Sequence, residues 1–356
     1  MPLVKTDTSG GYRPQLVVGD DIGRPAVECL RWDGVLETRL LSPKIHEILL
    51  SLSRVRNAVS SFRLEGETVE LNRARELLEG SQPANPSELG VLRLAKEYSA
   101  LSPNHLPDLT VAGILGLHRK LFESIRQPDW VGALKQSQNY IVNSGSESLR
   151  FTPTPPERTE AELEALLRWY RENRYSMLTP VVAALFFAEF QAIHPFMVGN
   201  GRVGRLLNVA LLTDLGCRKA PLIPLDTRFF RTSENYYDLL GTTNSGKNYG
   251  SWVRYFVGEV QAAYKASAKQ ANLGPLVASF SRESTRVVLR WILGGDGGWF
   301  SRGDYPNPRQ YSQPAVWSSL KELVKAGLLE AEGQKRGRRY RLKTPFLADV
   351  YARKFG

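Results

Sequence analysis

One stretch of the chain concentrates residues that can do chemistry: His194-Pro195-Phe196-Met197-Val198-Gly199-Asn200-Gly201-Arg202-Val203-Gly204-Arg205. A histidine ends an apolar segment at the edge of a loop. Its ring titrates near neutrality, which suits a general base. Gly199 and Gly201 bracket Asn200 in a tight turn whose backbone N–H groups can converge on an anion. Arg202 and Arg205 open the next helix three residues apart, so they share a side of it. The helix start adds a partial positive charge of its own. Singly, each is an ordinary loop or surface residue. As an ordered set they describe a phosphate cradle with a base at its mouth.

Helices must hold that cradle. Apolar residues recur at helical spacing over Ser42–Val59, with Ser42-Pro43 as a start signal. Further helices are expected over Thr68–Glu79, Glu88–Leu101, Thr110–Leu121, Thr159–Asn173, Pro180–Ile193, about Arg202 to Leu215, Ser233–Asn244 and Tyr249–Asn272. Val131–Phe151 breaks the pattern and reads as a short β-hairpin around a Gly/Ser turn at Asn143–Ser148, stopped by Thr152–Pro156. Met1–Gly34 reads as a Gly/Pro-punctuated arm with extended pieces such as Gln15–Val18. Gly274-Pro275 marks a boundary. Beyond it the pattern is a helix at Ser284–Leu293, a loop at Gly294–Gly298, a helix at Ser312–Ala326 and two strands at Leu328–Glu332 and Arg338–Leu342. That order is the pattern of a winged helix-turn-helix.

Composition narrows the class. The 356 residues are 42% apolar and 23% charged, as in soluble globular chains. Cys29 and Cys217 are too few and too far apart for a disulfide framework, and Met1–Tyr12 lacks the apolar core of a signal peptide. The longest charge-free apolar stretch, Tyr175–Ala188, is too short to span a bilayer and contains Pro180. The expectation is a cytoplasmic protein with no membrane partner. The formal net charge is +11, and Ser281–Gly356 alone holds 15 basic against 7 acidic residues. Its most basic run is Lys335-Arg336-Gly337-Arg338-Arg339, so nucleic acid is a candidate partner there. His46, His105 and His118 share no metal-ligand spacing and read as structural histidines. The tryptophans, among them Trp130, Trp252 and Trp299, read as packing residues.

The His194–Arg205 segment resembles the Fic-family signature His-Pro-Phe-x-(Asp/Glu)-Gly-Asn-Gly-Arg-x-x-Arg, and matches every fixed position except one. Trp130–Ala133 through Phe151–Pro156 is similar to the family's flap hairpin and the proline run after it. Ser61-Phe62-Arg63-Leu64-Glu65-Gly66 is similar to its inhibitory motif, (Ser/Thr)-x-x-x-Glu-(Gly/Asn). The winged helix resembles the C-terminal module of many bacterial members. The resemblance covers roughly Ser42–Leu342.

The fold it implies is mainly α: a Fic-type helical bundle with a β-hairpin flap, plus a C-terminal winged-helix domain. Residues 1–100 would be the arm and inhibitory-helix region, 101–273 the core, and 281–345 the winged helix. The reaction it implies is transfer of AMP from ATP to a Ser, Thr or Tyr hydroxyl of a target protein. His194 would be the base. Asn200 with the Gly199 and Gly201 amides would hold the α-phosphate, Arg202 the β-phosphate and Arg205 the γ-phosphate. Asn235 and Tyr236 are the candidates against adenine. The flap at Asn139, Tyr140, Ile141 and Val142 would pair with target backbone. Ser61 and Glu65 would inhibit, with Glu65 taking the γ-phosphate's place on Arg205. A homodimer is compatible with this reading.

The departure is Val198, where the family carries the carboxylate that holds Mg²⁺. Valine has no ligand atom, and Mg²⁺ requires oxygen. Three readings stay open: an impaired transferase that still binds nucleotide, a relative with a metal-independent transfer, or a carboxylate from elsewhere such as Glu189. The competing class is a nucleotide-sensing regulator that acts on DNA through its winged helix.

Overall fold

The computed structural model describes residues 3–39, 43–123, 129–142, 148–243, 249–271, 280–293, 298–306, 310–334 and 337–342. Among them the helices run α1 (Asp20–Arg39), α2 (Pro43–Leu64), α3 (Leu71–Leu78), α4 (Pro86–Ala100), α5 (Val111–Phe122), α6 (Pro156–Asn173), α7 (Thr179–Ile193), α8 (Asn200–Asp214), α9 (Leu225–Arg231), α10 (Ser233–Thr242) and α11 (Gly250–Ala271), then α12 (Glu283–Leu293) and α13 (Gln313–Lys325). The chain divides into two compact units, Met1–Thr38 with Ser53–Ser267, and Arg39–Leu52 with Ala268–Gly356.

In the first unit α7 is the axis. All its residues from Thr179 to Ile193 are buried, as expected of a helix that is apolar on every side. It packs between α6 and α8, and across it Tyr12 Oη and Trp252 Nε1 donate to the carbonyls of Leu185 and Ala184. The C-terminal end of α7 and the N-terminal end of α8 meet at the loop that carries the sequence motif, so the core fixes both sides of that loop. No helix among the described residues is long and apolar enough to cross a membrane.

The hairpin forms as β2 (Ile141–Val142) antiparallel to β3 (Leu149–Thr152). The turn residues 143–147 lie outside the described residues, as do Ser42, Gly274-Pro275 and Gly294–Gly297. The sequence reading missed a third strand. β1 (Leu3–Val4) runs parallel to β3, giving the order β1-β3-β2.

The N-terminal arm is corrected as well. Gln15–Val18 has no regular structure, and the 20-residue α1 begins at Asp20, within the segment read as a Gly/Pro-punctuated arm, and runs on to Arg39. Asp20 and Asp21 favour its first turn. Ile22, Ala26, Cys29, Asp33 and Leu36 form a buried stripe at helical spacing that outweighs the backbone donor lost at Pro25. Helix α9 was also not foreseen.

The second unit has its own core of Val288, Leu289, Val316, Leu320, Leu323, Leu329 and Tyr340. Helices α12 and α13 accompany an antiparallel sheet of β4 (Phe300–Ser301), β6 (Arg339–Leu342) and β5 (Leu329–Glu332), in that order. Strand β4 has no counterpart in the sequence reading. Cross-strand pairing sets Arg341 opposite Glu330 and Arg339 opposite Glu332. Lys335 and Arg336 lie outside the described residues.

Candidate active site

His194 caps α7 in the left-handed conformation, with φ 53° and ψ 60°. Among the described residues it is the one non-glycine with positive φ. A strained backbone at a named chemical group is the kind of feature that clusters at functional sites. The loop beyond it is built from the inside. Asn200 Oδ1 accepts from the Phe196 N–H at 2.8 Å, and Asn200 Nδ2 donates to the Phe196 carbonyl at 2.7 Å. Gln191 Nε2 donates to the Asn200 carbonyl. Gly199 stands at φ 85°, and a Cβ there would lie 2.2 Å from the Phe122 ring.

A second clamp comes from α5. His118 Nδ1 accepts from the Gly132 N–H at 2.9 Å, so its Nε2 carries the proton and donates to the Val198 carbonyl at 3.0 Å. The ring stacks on Phe196 with centroids 3.9 Å apart. Burial pulls His118 down to about 4 and keeps it neutral.

His194 Nδ1 lies 3.2 Å from the Gln191 carbonyl, which assigns it the ring proton and leaves Nε2 as the acceptor. Burial pulls its pKa down to about 4, against the Gln191 hydrogen bond that favours the charged form. At pH 7 the imidazole is therefore a free base. Beside it Lys135 Nζ donates to the Ile193 carbonyl and to Asn139 Oδ1, while its own N–H donates to the Pro195 carbonyl. Burial draws that ammonium down to about 8.

The anion side lies on α8. The first amides of a helix have no intrahelical acceptor, so the N–H groups at Asn200–Arg202 form a donor cluster. Arg205 is 1% exposed. Its Nε donates to Ser61 Oγ at 2.8 Å, and its Nη2 to the Ser61 carbonyl at 2.9 Å and to Glu65 Oε1 at 2.7 Å. Glu65, the residue just after α2, thus reaches onto the first turn of α8, where a Cβ on Gly201 would meet its Oε1 at 2.1 Å. Burial would raise the Glu65 carboxyl, but the Arg205 charge and hydrogen bond hold it below the usual carboxylate range. Behind Arg205 lies the fully buried Asp226 of α9, 3.9 Å away, which accepts from Tyr98 Oη at 2.7 Å. Burial pushes Asp226 up to about 6 despite Arg205. Arg202 lies between the Phe62 and Phe122 rings, 4.8 and 4.7 Å from their centroids, and its Nη1 donates to Glu67 Oε1 at 3.1 Å.

His194, Gly199, Asn200, Gly201, Arg202, Arg205, Ser61 and Glu65 therefore meet in one site. Other nominated residues take different places. Tyr236 is buried among Phe187, Phe229 and Trp252, with its hydroxyl hydrogen-bonded to Arg205 of the site. Its exposed neighbour Tyr237 donates to the Leu64 carbonyl beside Glu65. Asn235 is exposed. Asn139 is a peg, with Nδ2 donating to the Phe196 carbonyl at 2.9 Å. Tyr140 and Val142 are exposed, and Ile141 is half-buried. Lys135, Glu67, Tyr98 and Asp226 have no role in the sequence reading, while His118, read there as a structural histidine, is the clamp on the motif loop. A polar residue within an apolar helical stripe, as at His118, was the available signal.

The residues where the resemblance puts Mg²⁺ do not fit that ion. Val198 offers an exposed apolar side chain, and Glu65 and Glu67 are paired with arginines. Glu189 accepts from Lys5 at 2.8 Å and from Thr8 at 2.7 Å within a buried cluster, so its oxygens are engaged there. Among the described residues no group of three His, Cys, Asp or Glu side chains could hold a metal.

Residues 108–212 match the model of the Fic/DOC family. The Protein adenylyltransferase Fic of Drosophila yakuba is 30% identical over 193 residues, which is 52% of this chain and 36% of the fly protein. The Protein adenylyltransferase fic-1 of Caenorhabditis elegans is 27% identical over 235 residues, 63% of this chain and 41% of the worm protein. The chain thus spans less than half the length of the curated relatives it matches. Among solved structures, a Fic family protein from Desulfovibrio desulfuricans superposes with a TM-score of 0.63 at 20% identity, covering 93% of this chain and 98% of that one. A Fic domain containing signaling protein from Bacteroides thetaiotaomicron gives 0.56 at 22%, covering 70% and 96%. The chain carries a Fic/DOC family domain, and its bundle has the fold of these structures.

Proposed function

We propose that this site transfers AMP from ATP to a hydroxyl of a target protein, with Glu65 holding it off and Val198 leaving it slow. The carrying observation is the Glu65–Arg205 pair at 2.7 Å, seated over Gly201 at the start of α8. A carboxylate in that place competes with a phosphate for the same donors. Neutral His194 supplies the base, and the helix-start amides with Arg202 and Arg205 supply the charge for a triphosphate. In-line transfer at phosphorus depends on such positioning and neutralisation. Strand β2 has β3 on one side and, among the described residues, an open edge on the other, which suits an extended target segment. ATP titration tests the reading. Glu65→Gly should tighten ATP on the order of tenfold. Equal affinity in the two proteins would contradict it.

A second reading rests on the C-terminal unit. Helices α12 and α13 with the β4-β6-β5 sheet fit a winged helix, and Arg338 and Arg339 lie on its hairpin. The pairing of Arg339 with Glu332 and of Arg341 with Glu330 takes up part of that basic charge. DNA binding therefore ranks behind nucleotidyl transfer.

A further inference from the structure

Arg202 is held unlike Arg205. Its guanidinium lies between two aromatic faces, Phe62 and Phe122, which favour that placement of the cation. One nitrogen, Nη1, donates to Glu67 Oε1 at 3.1 Å. Its Nε is buried and has no partner among the described residues. An arginine that is mostly buried and only partly hydrogen-bonded is a donor still owed an anion.

Glu67 is itself fixed. Its other oxygen, Oε2, accepts from Ser87 Oγ of α4 at 2.6 Å, and its N–H donates to the Phe62 carbonyl at 3.0 Å. The carboxylate is thus braced between α4 and the Arg202 guanidinium. Glu65 and Glu67, two residues apart, make their close ion pairs with different arginines of the motif, Arg205 and Arg202, while the Glu65 charge also acts on Arg202.

We infer that Glu67 is a specificity-determining residue that closes the β-phosphate position on Arg202, as Glu65 closes the γ-phosphate position on Arg205. This rests on the nucleotide reading of the site. A nucleoside monophosphate makes no demand on Arg202. A diphosphate must displace Glu67 from it. The resting protein therefore discriminates against diphosphates as well as triphosphates, and relief at Glu65 alone leaves one barrier in place.

The test is calorimetric titration of the full chain with ADP and with AMP. Glu67→Gln keeps the shape and removes the charge, and Ser87→Ala removes the brace. In Glu67→Gln the ADP-over-AMP affinity ratio should rise on the order of tenfold. Ser87→Ala should move the ratio in the same direction by less. Arg202→Ala in the Glu67→Gln background should abolish the gain. An unchanged ratio in Glu67→Gln, with ADP bound and an unaltered melting temperature, overturns this inference and leaves the nucleotide reading intact. Failure of every variant to bind either nucleotide overturns both.

Discussion

Arg205 and Glu65 are bonded at 2.7 Å between the start of α8 and the end of α2, and Arg205 also donates twice to Ser61. That contact makes one unit of two motifs lying 140 residues apart. Its pH behaviour follows from the directions. The folded-state Glu65 pKa is depressed, so the pair contributes above the ordinary carboxylate range and is lost only on acidification below it. Neutral pH does not open the site.

Acid should act first elsewhere. His118 is neutral when folded, with its pKa drawn from the usual 6.5 to about 4. The unfolded chain takes up a proton near 6.5, so stability falls as pH drops from there toward 4. The contribution is about 3 kcal/mol for one such group. Denaturant titrations at pH 7 and pH 5 should show about 2 kcal/mol of that loss. His194 shares the shift, so His118→Gln should remove only His118's share of the acid slope. An equal acid slope in wild type and variant would contradict the clamp.

Lys5 should prove necessary for the flap. It is buried against Glu162 and Glu189, 3.3 and 2.8 Å away, and its N–H donates to the Thr152 carbonyl beside the β1–β3 ladder. Lys5→Met leaves two buried carboxylates short of their cation and should cost about 3–5 kcal/mol. Hydrogen exchange should then speed up at Leu149–Thr152. Retained protection and stability would refute the brace.

Much of this could be read from the sequence, and the failures share a cause. The His194–Arg205 motif is local, so types and spacing suffice. Glu65 was legible because its motif is short and self-contained. His118, Glu67 and Asp226 reach the site from α5, the segment after α2, and α9, and their partners lie far along the chain. Nothing in local spacing encodes that. Asn235 and Tyr236 show a finer limit, since one residue on a helix turns a side chain by about 100°, and here one is exposed while its neighbour is buried against Arg205. Helix α1 was hidden by Gly23, Gly34 and Pro25, whose local preference lost to a buried stripe.

Val198 predicts how the site answers to Mg²⁺. In the Glu65→Gly background, ATP affinity should change little on adding the ion. With Val198→Asp added, a carboxylate becomes available, and Mg²⁺ should tighten ATP on the order of tenfold. The His118 bond to residue 198 is to the carbonyl and should survive the change. A strong Mg²⁺ response with Val198 in place would show that another group does this work.

Duplex DNA binding, if the second reading holds, should be salt-sensitive and should disappear when Arg336, Arg338 and Arg339 are reversed to Glu. A gel-shift at low salt decides it. No shift by the intact protein removes that reading.

The central claim is that His194 drives nucleotidyl transfer once Glu65 is removed. The direct measurement is incorporation of label from α-labelled ATP into protein, with Mg²⁺ present. It compares wild type, Glu65→Gly, Glu65→Gly/Val198→Asp, and the double variant with His194→Ala as blank. The account predicts little label in wild type, a small gain in Glu65→Gly, and a rise on the order of 10²-fold in the double variant. All of it should vanish with His194→Ala. Strong transfer by the unaltered chain, or no label in the double variant, would contradict it.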